Sequence, residues 1–400
     1  MRYKAIFFDR DGTLTKFNEE KELWRDIMVS AWSEKAFEMT YDKMMSLFKL
    51  ASEGRKPWYT TLDDEREFFK RYYRNMLIEA GVKEDLNERA ELLFNELWCN
   101  NDRLLFPEVV EVLEYFYNNG YKMGVISDTS PSLEYTLQQL GIAKYFTSFT
   151  ASSLVGASKP DPTIFNAALF SQGVTAEESL YVDDCKPEAD GAREQGFTSF
   201  HIDRSGESKG KWTISDLIKI VDYVEEDKIS EIEYYKSLPV VFNGFIDFPH
   251  LTDGQLSLVC TAKKPAIPEK NYVPAYEFAV FIEETKIGEV NLRIGYFGFG
   301  PDNSSLYYSG QLGYCIEEKY RGKGYAGRAC RLLCRVAEAH GMKKLLITNN
   351  ADNISSRRVC EKLGLRHIRY TKLPEWTDIY KSGQRYLNIY EMDTKLFLKH

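Results

Sequence analysis

At 400 residues, with 44% hydrophobic and 14% aromatic content, the chain exceeds one ordinary domain and is too apolar for overall disorder. The net charge of −8 is uneven: residues 1–250 carry −15 and residues 251–400 carry +7. No Lys/Arg block or basic stripe with interleaved aromatics accompanies the basic C-terminal part, so an anionic small molecule is expected there and nucleic acid is not. Seven cysteines without a CxxC pair fit reduced thiols better than a disulfide framework. No apolar run is long enough for a membrane span, and the run in MRYKAIFFDRDG is too short for a signal-peptide core. A cytoplasmic protein without membrane partners is expected, of unspecified oligomeric state.

In chain order, Ala5 to Phe8 reads as a buried parallel strand feeding the loop DRDGTLT. From Lys16 to Arg103 the pattern is helical, with Trp24, Trp32, Phe37, Phe48, Phe68, Tyr72 and Leu92 as expected core. Strands return at Met123 to Ser127 and Leu180 to Val182, with helices around Glu108 to Asn118, Ser132 to Leu140 and Thr163 to Ser171. This alternation predicts an α/β, doubly wound parallel sheet with its chemistry at the strands' C-terminal ends. SGESKGK, Ser205 to Lys211, reads as a loop, and Ile214 to Val224 as a helix. The charged run Glu225 to Glu233 reads as a solvated helix or linker. Beyond Leu238 the texture becomes α+β. Strands are expected at Tyr276 to Ile282, Lys286 to Ile294 and Leu306 to Ile316, and a long helix over Tyr325 to His340. A strand at Leu345 to Thr348, a helix over Ser355 to Leu363 and a strand near Arg385 to Met392 complete it.

Asp9 and Asp11 stand two apart just past the first strand, and Gly12 lets the backbone approach an anion closely. Ser127 ends a strand, Lys159 lies in GASKPDP, and Asp183 and Asp184 end another strand. Together these supply a nucleophile, a proton donor, a cation for phosphate oxygens and oxygen ligands for magnesium. The order DxDGT, strand-Ser, Lys-Pro, strand-Asp-Asp resembles the four motifs of the haloacid dehalogenase-like hydrolases. The resemblance covers about residues 1–225, with a core of 1–15 and 105–225 and a helical cap of about 16–104. It implies Asp9 as nucleophile forming an aspartyl-phosphate, Asp11 as general acid and then base, and Ser127 and Lys159 as phosphate ligands. Mg2+ would be held by Asp9, the main-chain carbonyl of Asp11, and Asp184. Asp183 and Glu188 stay open as further members. Asp11 itself favours phosphate over halide chemistry, with a small phosphorylated substrate and with phosphomutases among the relatives. Arg55 and Lys56, beside Gly54 and Pro57, form a basic loop that would reach a second anionic group or simply face solvent.

RGKGYA, Arg321 to Ala326, lies between a strand and a long helix, where glycine-rich backbone and helix N-terminus form a seat for a pyrophosphate. With the strand QLGYCIE before it, the strand LLIT after it and Asn353-x-x-Ser356 leading into EKLG, this order resembles the GNAT acyltransferases over residues 238–400, after a linker at 226–237. The resemblance implies acetyl-CoA, its pyrophosphate on the backbone of Gly322, Lys323, Gly324, Tyr325 and Ala326, with Arg321 and Lys323 as electrostatic support or exposed residues. The pantetheine arm would pair with the strand near Tyr314 to Ile316 and meet Asn353. Where many members carry a tyrosine that protonates the leaving thiolate, this chain has Cys360. Glu289 is the weak candidate for a base, and His340 and His367 are expected to be structural. Cys330 and Cys334 are expected in the core. The segment Leu373 to Tyr386, with its aromatics and Asp378, is expected to shape the pocket of a small-molecule acetyl acceptor or to be surface loop. The combined expectation is a phosphatase fused to an acetyltransferase. Alternatives are a second domain that binds acyl-CoA without catalysis, or a carrier-protein acyl-loading enzyme. DGTLT and the large cap argue against the latter.

Overall fold

In a computed structural model, which describes residues 3–53, 59–226, 228–249, 251–299 and 303–398, the chain divides into two units, Met1–Tyr223 and Val224–His400. The basic loop of Arg55 and Lys56 lies outside the described residues.

In the first unit, Ala5–Phe8 is fully buried and sits inside a six-stranded sheet. The spatial order is Ser148–Ala151, Lys122–Ser127, Ala5–Phe8, Ser179–Asp183, Thr198–Ile202, Thr213–Ile214, and every neighbouring pair is parallel. Phe8 pairs in register with Val125 on one side and Val182 on the other. Asp9, Ser127 and Asp183 therefore emerge at one sheet edge, on the strands where the chain switches from one half of the sheet to the other. Ser148–Ala151, Thr198–Ile202 and Thr213–Ile214 are strands that the sequence pattern did not announce. They are short and carry Ser, Thr and His, so no apolar run marks them, and sheet pairing makes them strands.

Helices Glu19–Ser33, Tyr41–Ser52, Leu62–Ala80 and Leu86–Leu97 form the insert after the first strand. The Asn18, Thr40 and Thr61 side chains accept from backbone N–H groups of the first turns of the first three, satisfying donors the helix cannot. Val29, Leu47, Phe68, Tyr72, Met76 and Leu93 form their core, with Trp24, Trp32, Phe37 and Phe48 packed against it. Leu92, expected in that core, is exposed instead, because it faces outward between the buried Ala90 and Leu93. An antiparallel ribbon of Thr15–Phe17 and Arg103–Leu105 takes the chain into and out of the insert.

The second unit has an antiparallel sheet ordered Leu312–Ile316, Thr285–Arg293, Ala275–Ile282, Leu256–Lys264, Leu251–Thr252, and a second sheet ordered Lys344–Asn350, Tyr386–Asp393, Arg366–Lys372. The backbone N–H of Gln311 donates to Leu346 O at 2.8 Å, and its Oε1 accepts from Leu346 N at 2.6 Å. That stitch joins the sheets at one point. Beyond it, Leu312–Ile316 pairs among the described residues with a strand on one side only, leaving an edge open. Helix Tyr325–Ala339 packs on this framework and buries Cys330 and Cys334 in the core. His340 is buried between Tyr276 Oη at 2.8 Å and Val241 O at 3.0 Å, and His367 meets Asn388 Oδ1 at 3.1 Å. Both imidazoles are thereby held by packing partners.

Two expectations change. Leu306 to Ile316 is not one strand, since Ser305–Ser309 is a short helix that buries Leu306, Tyr307 and Tyr308 before Gly310 turns the chain into Leu312–Ile316. Helix Lys228–Lys236 realises the helix alternative for the charged run, though not as a solvated one, over most of the stretch 226–237. Its Tyr235 is 1% exposed within the second unit's core and donates to Glu391 at 2.8 Å. One apolar anchor amid charges gives too little periodicity to reveal a packed helix.

Candidate active sites

The first cluster forms where the Ala5–Phe8, Lys122–Ser127 and Ser179–Asp183 strands end. The Lys159 ammonium, nearly dry, donates to Asp9 Oδ1 at 2.7 Å and Asp183 Oδ2 at 2.8 Å, and pairs with Glu188 Oε2 at 2.7 Å. Burial alone would lower the Lys159 pKa, but Asp9 and the surrounding acids hold it well above its ordinary value. Asp183 is fixed at both oxygens, receiving the Tyr181 hydroxyl together with Lys159, and Cys185 N at 2.8 Å. Ser127 is buried as the last residue of its strand, beside Asp128, which accepts from Lys159 N at 3.1 Å. Asp9, Asp183 and Asp184 each offer an oxygen within 4.8 Å of the others. Burial pushes Asp9 up to about 6 despite Lys159, and partial burial with the charges of Asp9 and Asp183 pushes Asp184 up to about 7.

Three crowded carboxylates facing one ammonium are an excess of negative charge, and an all-oxygen donor set of this kind fits magnesium. The third carboxylate of the cluster is Asp183, which sequence reasoning had left open. The Asp11 carboxylate turns elsewhere. It accepts from Arg103 Nε at 2.7 Å, Arg10 Nη2 at 2.7 Å and Thr15 Oγ1 at 2.9 Å. Although burial pushes Asp11 up, the Arg10 and Arg103 guanidiniums outweigh it and hold its carboxyl well below the usual range. In this arrangement Asp11 is ionised. Arg204, stacked on Phe106, donates to Gly12 O at 2.9 Å and to Thr13 O, and so clamps the turn that follows the two aspartates. Arg10, Arg103 and Arg204 were missed by sequence reasoning. Arg10 sits inside the motif and was readable there, whereas Arg103 and Arg204 arrive from distant segments with no local mark.

The second cluster is a groove of about 700 Å³ along the open edge of Leu312–Ile316. It gathers Tyr314, Ile316, Arg321, Gly322, Gly324, Tyr325, Ala326 and Asn353; the exposed Lys323 is not among its lining residues. Helix Tyr325–Ala339 begins there after Gly324, with φ of 82° and no side-chain cap, so its first N–H groups are free for an anion. Arg321 Nε donates to Ile316 O at 2.9 Å, fixing the loop to the strand. Asn353 Oδ1 accepts from Ser356 N at 3.0 Å and Ser355 Oγ at 2.9 Å, capping helix Ile354–Lys362. The Tyr314 hydroxyl lies 2.9 Å from Ser356 Oγ. Burial raises its pKa well above the usual value, keeping it protonated. Cys360 is fully buried and does not line the groove, and burial pushes its thiol up to about 12. Glu289 is exposed, paired with Lys286 at 2.6 Å, and lines neither the groove nor the cavity beside it.

A cavity of about 520 Å³ adjoins the groove, sharing Arg293 and Ser309 with it, and takes Trp376 and Asp378 from the segment Leu373 to Tyr386.

A model of the haloacid dehalogenase-like hydrolases matches residues 3–196, and one of the GNAT acetyltransferase domain matches residues 212–366. The phosphoglycolate phosphatase of Vibrio parahaemolyticus is 30% identical over 203 residues, 50% of this chain and 83% of that one. The glyceraldehyde 3-phosphate phosphatase of Methanocaldococcus jannaschii is 26% identical over 238 residues, 56% of this chain and 98% of that one. The crystal structure of a 2-haloacid dehalogenase from Pseudomonas syringae pv. Tomato aligns with a TM-score of 0.42 at 19% identity, over 56% of this chain and 99% of that one.

Proposed function

Because the chain belongs to the haloacid dehalogenase-like hydrolases through its first unit and carries a GNAT acetyltransferase domain in its second, we propose a bifunctional enzyme: a magnesium-dependent phosphatase of a small phosphorylated metabolite, fused to an acetyltransferase that uses acetyl-CoA. The observation that carries the first activity is the Lys159 ammonium shared by Asp9 and Asp183 beside Asp184. Relatives named as phosphatases of phosphoglycolate and of glyceraldehyde 3-phosphate support a small phosphate ester as substrate.

In this reading an Asp9 oxygen attacks phosphorus, the ester P–O bond breaks, and the leaving alcohol takes a proton from Asp11. Water then attacks the aspartyl-phosphate and gives its proton back to Asp11. Lys159 and Ser127 receive the phosphate oxygens. Asp9, Asp183 and Asp184 would hold magnesium, together with the Asp11 carbonyl that the family resemblance assigns. The metal supplies charge neutralisation at the phosphoryl group when bound. Asp11 is held ionised by Arg10 and Arg103, so it is ready to accept the water's proton; to donate one to the leaving alcohol it must first lose Arg103, on the ribbon that leads out of the cap, and take up a proton from solvent.

Phosphate release from phosphoglycolate, glyceraldehyde 3-phosphate and related esters tests the first activity. Chelation with EDTA is expected to abolish release and added magnesium to restore it; release that survives chelation would sink the metal assignment.

The second activity is carried by the uncapped helix N-terminus opening on a groove beside an unpaired strand edge. The N–H groups of Gly324, Tyr325 and Ala326, with Gly322, would take the pyrophosphate, and the Tyr314 to Ile316 edge the pantetheine arm. Lys323 and Arg321 would add only field, and Asn353 acts by presenting its helix to the arm. Tyr314, protonated and lining the groove, is the group we assign to protonate the thiolate, a role Cys360 cannot reach from the core. Tyr314→Phe is expected to lower acetyl transfer about a hundredfold, with the KM for acetyl-CoA changed much less. Thiol-release kinetics would measure both, and an unchanged kcat would remove Tyr314 from the mechanism.

A further inference from the structure

Strand Thr285–Arg293 alternates its faces. Val290 and Leu292 point into the core, while Asn291 and Arg293 point to the opposite side, opposite Glu277 and Ala275 of the neighbouring strand. On that side both residues line the 520 Å³ cavity, and Arg293 also lines the adjoining groove.

The charges of this cavity do not cancel. Glu277 is paired with Lys264, and Asp378 lies 3.8 Å from Lys381. Arg293 has no acid among the described residues; among them its guanidinium donates from Nη1 to Gly310 O at 3.1 Å. The side chain is largely withdrawn from water, and that burial lowers its pKa. A half-buried guanidinium without an anion is costly, and such a group is tolerated where a ligand supplies the anion. Beside it, Asn291 Oδ1 is buried with no donor among the described residues. Its amide lies over Gly313, where an added Cβ would stand 2.8 Å from Nδ2 and 3.0 Å from Oδ1 and push the amide aside. Gly313 is the neighbour of Tyr314 on the edge strand of the groove. One cavity thus presents, among the described residues, a cation lacking an anion and an acceptor lacking a donor.

We infer that the acetyl acceptor is an amino acid, its carboxylate on Arg293 and its amine nitrogen donating to Asn291 Oδ1. Tyr272, Tyr308 and Trp376 line the rest of the cavity and select an apolar or aromatic side chain. The inference rests on the acetyltransferase reading above. The ammonium first loses one proton to solvent. The nitrogen lone pair then attacks the thioester carbonyl, the C–N bond forms, and the C–S bond breaks with its electron pair on sulfur. The second nitrogen proton is released and the thiolate is protonated, giving the amide and free coenzyme A.

The test uses the full chain with acetyl-CoA and matched pairs: L-phenylalanine with phenethylamine, L-tryptophan with tryptamine, L-leucine with isoamylamine. Free thiol is followed spectroscopically. The amino acids are expected to exceed their decarboxylated partners in kcat/KM by about tenfold or more. Arg293→Gln is expected to erase that preference chiefly through KM, and Arg293→Lys to restore part of it. Protection by acetyl-CoA against thermal unfolding checks that each variant is folded. Equal use of both members by the unaltered chain, or a folded Arg293→Gln variant that keeps the preference, overturns the inference. So does a marked preference for phosphoethanolamine, which would make the anion a phosphate. Acetyl-CoA binding without binding or turnover of any amino acid also overturns it, while leaving the cofactor reading intact. Absence of acetyl-CoA binding fails the acetyltransferase reading itself, and the inference falls with it.

Discussion

Asp9→Asn is expected to reduce phosphate release by roughly a thousandfold or more, because the amide keeps the shape of the side chain and loses the nucleophile. The variant is expected to fold. Lys159 retains Asp183 and Glu188 as partners, and one negative charge leaves a cluster in which Asp9 and Asp184 are already pushed up to about 6 and 7. Removing that charge relieves crowding, so thermal unfolding of the metal-free variant should occur no lower than for the unaltered chain. Acid-quenched samples of the unaltered chain should contain acid-stable phosphorylated protein during turnover, and the variant none. A variant that keeps a tenth of the rate would place the nucleophile elsewhere.

Gly12→Ala tests the same site through the backbone. Gly12 has φ of 75°, the left-handed region, where an alanine costs about 1–2 kcal/mol. An added Cβ would stand 2.9 Å from Asp184 Cβ and closer still to its carboxyl group. The Asp184 side chain must swing away, and with it one of the three oxygens that lie within 4.8 Å of one another. The expected result is a magnesium requirement raised about tenfold or more, a lower maximal rate, and a melting temperature reduced by a few degrees. Titrating magnesium against phosphate release separates the first two effects. An unchanged magnesium dependence would show that Asp184 does not need that position.

Much of this protein was legible where function depends on neighbours in sequence. Asp9, Asp11 and Gly12 share one turn, and Gly322, Gly324 and Ala326 share another, so their chemistry could be read locally. The strands at Ala5–Phe8 and Ser179–Asp183 announced themselves as apolar runs, and the aromatic stripes of the insert as helix core. Less was legible where pairing or packing decides. Ser148–Ala151 and Thr198–Ile202 are strands because the sheet accepts them. Lys228–Lys236 is a packed helix because Tyr235 finds Glu391. Leu306 to Ile316 divides because its tyrosines bury best in a helical turn before Gly310.

The two families, the strand-end aspartates, the lysine and the glycine-rich turn could therefore be read from the chain alone. Each is a short pattern whose spacing carries the chemistry. The electrostatic partners were set by folding. It turned the Asp11 carboxylate to Arg10 and Arg103, brought Asp183 into the carboxylate cluster, buried Cys360 away from the groove that Tyr314 lines, and left Arg293 without an acid among the described residues. Charge and protonation depend on distance and burial, and residues far apart in the chain meet only after the core has closed around them.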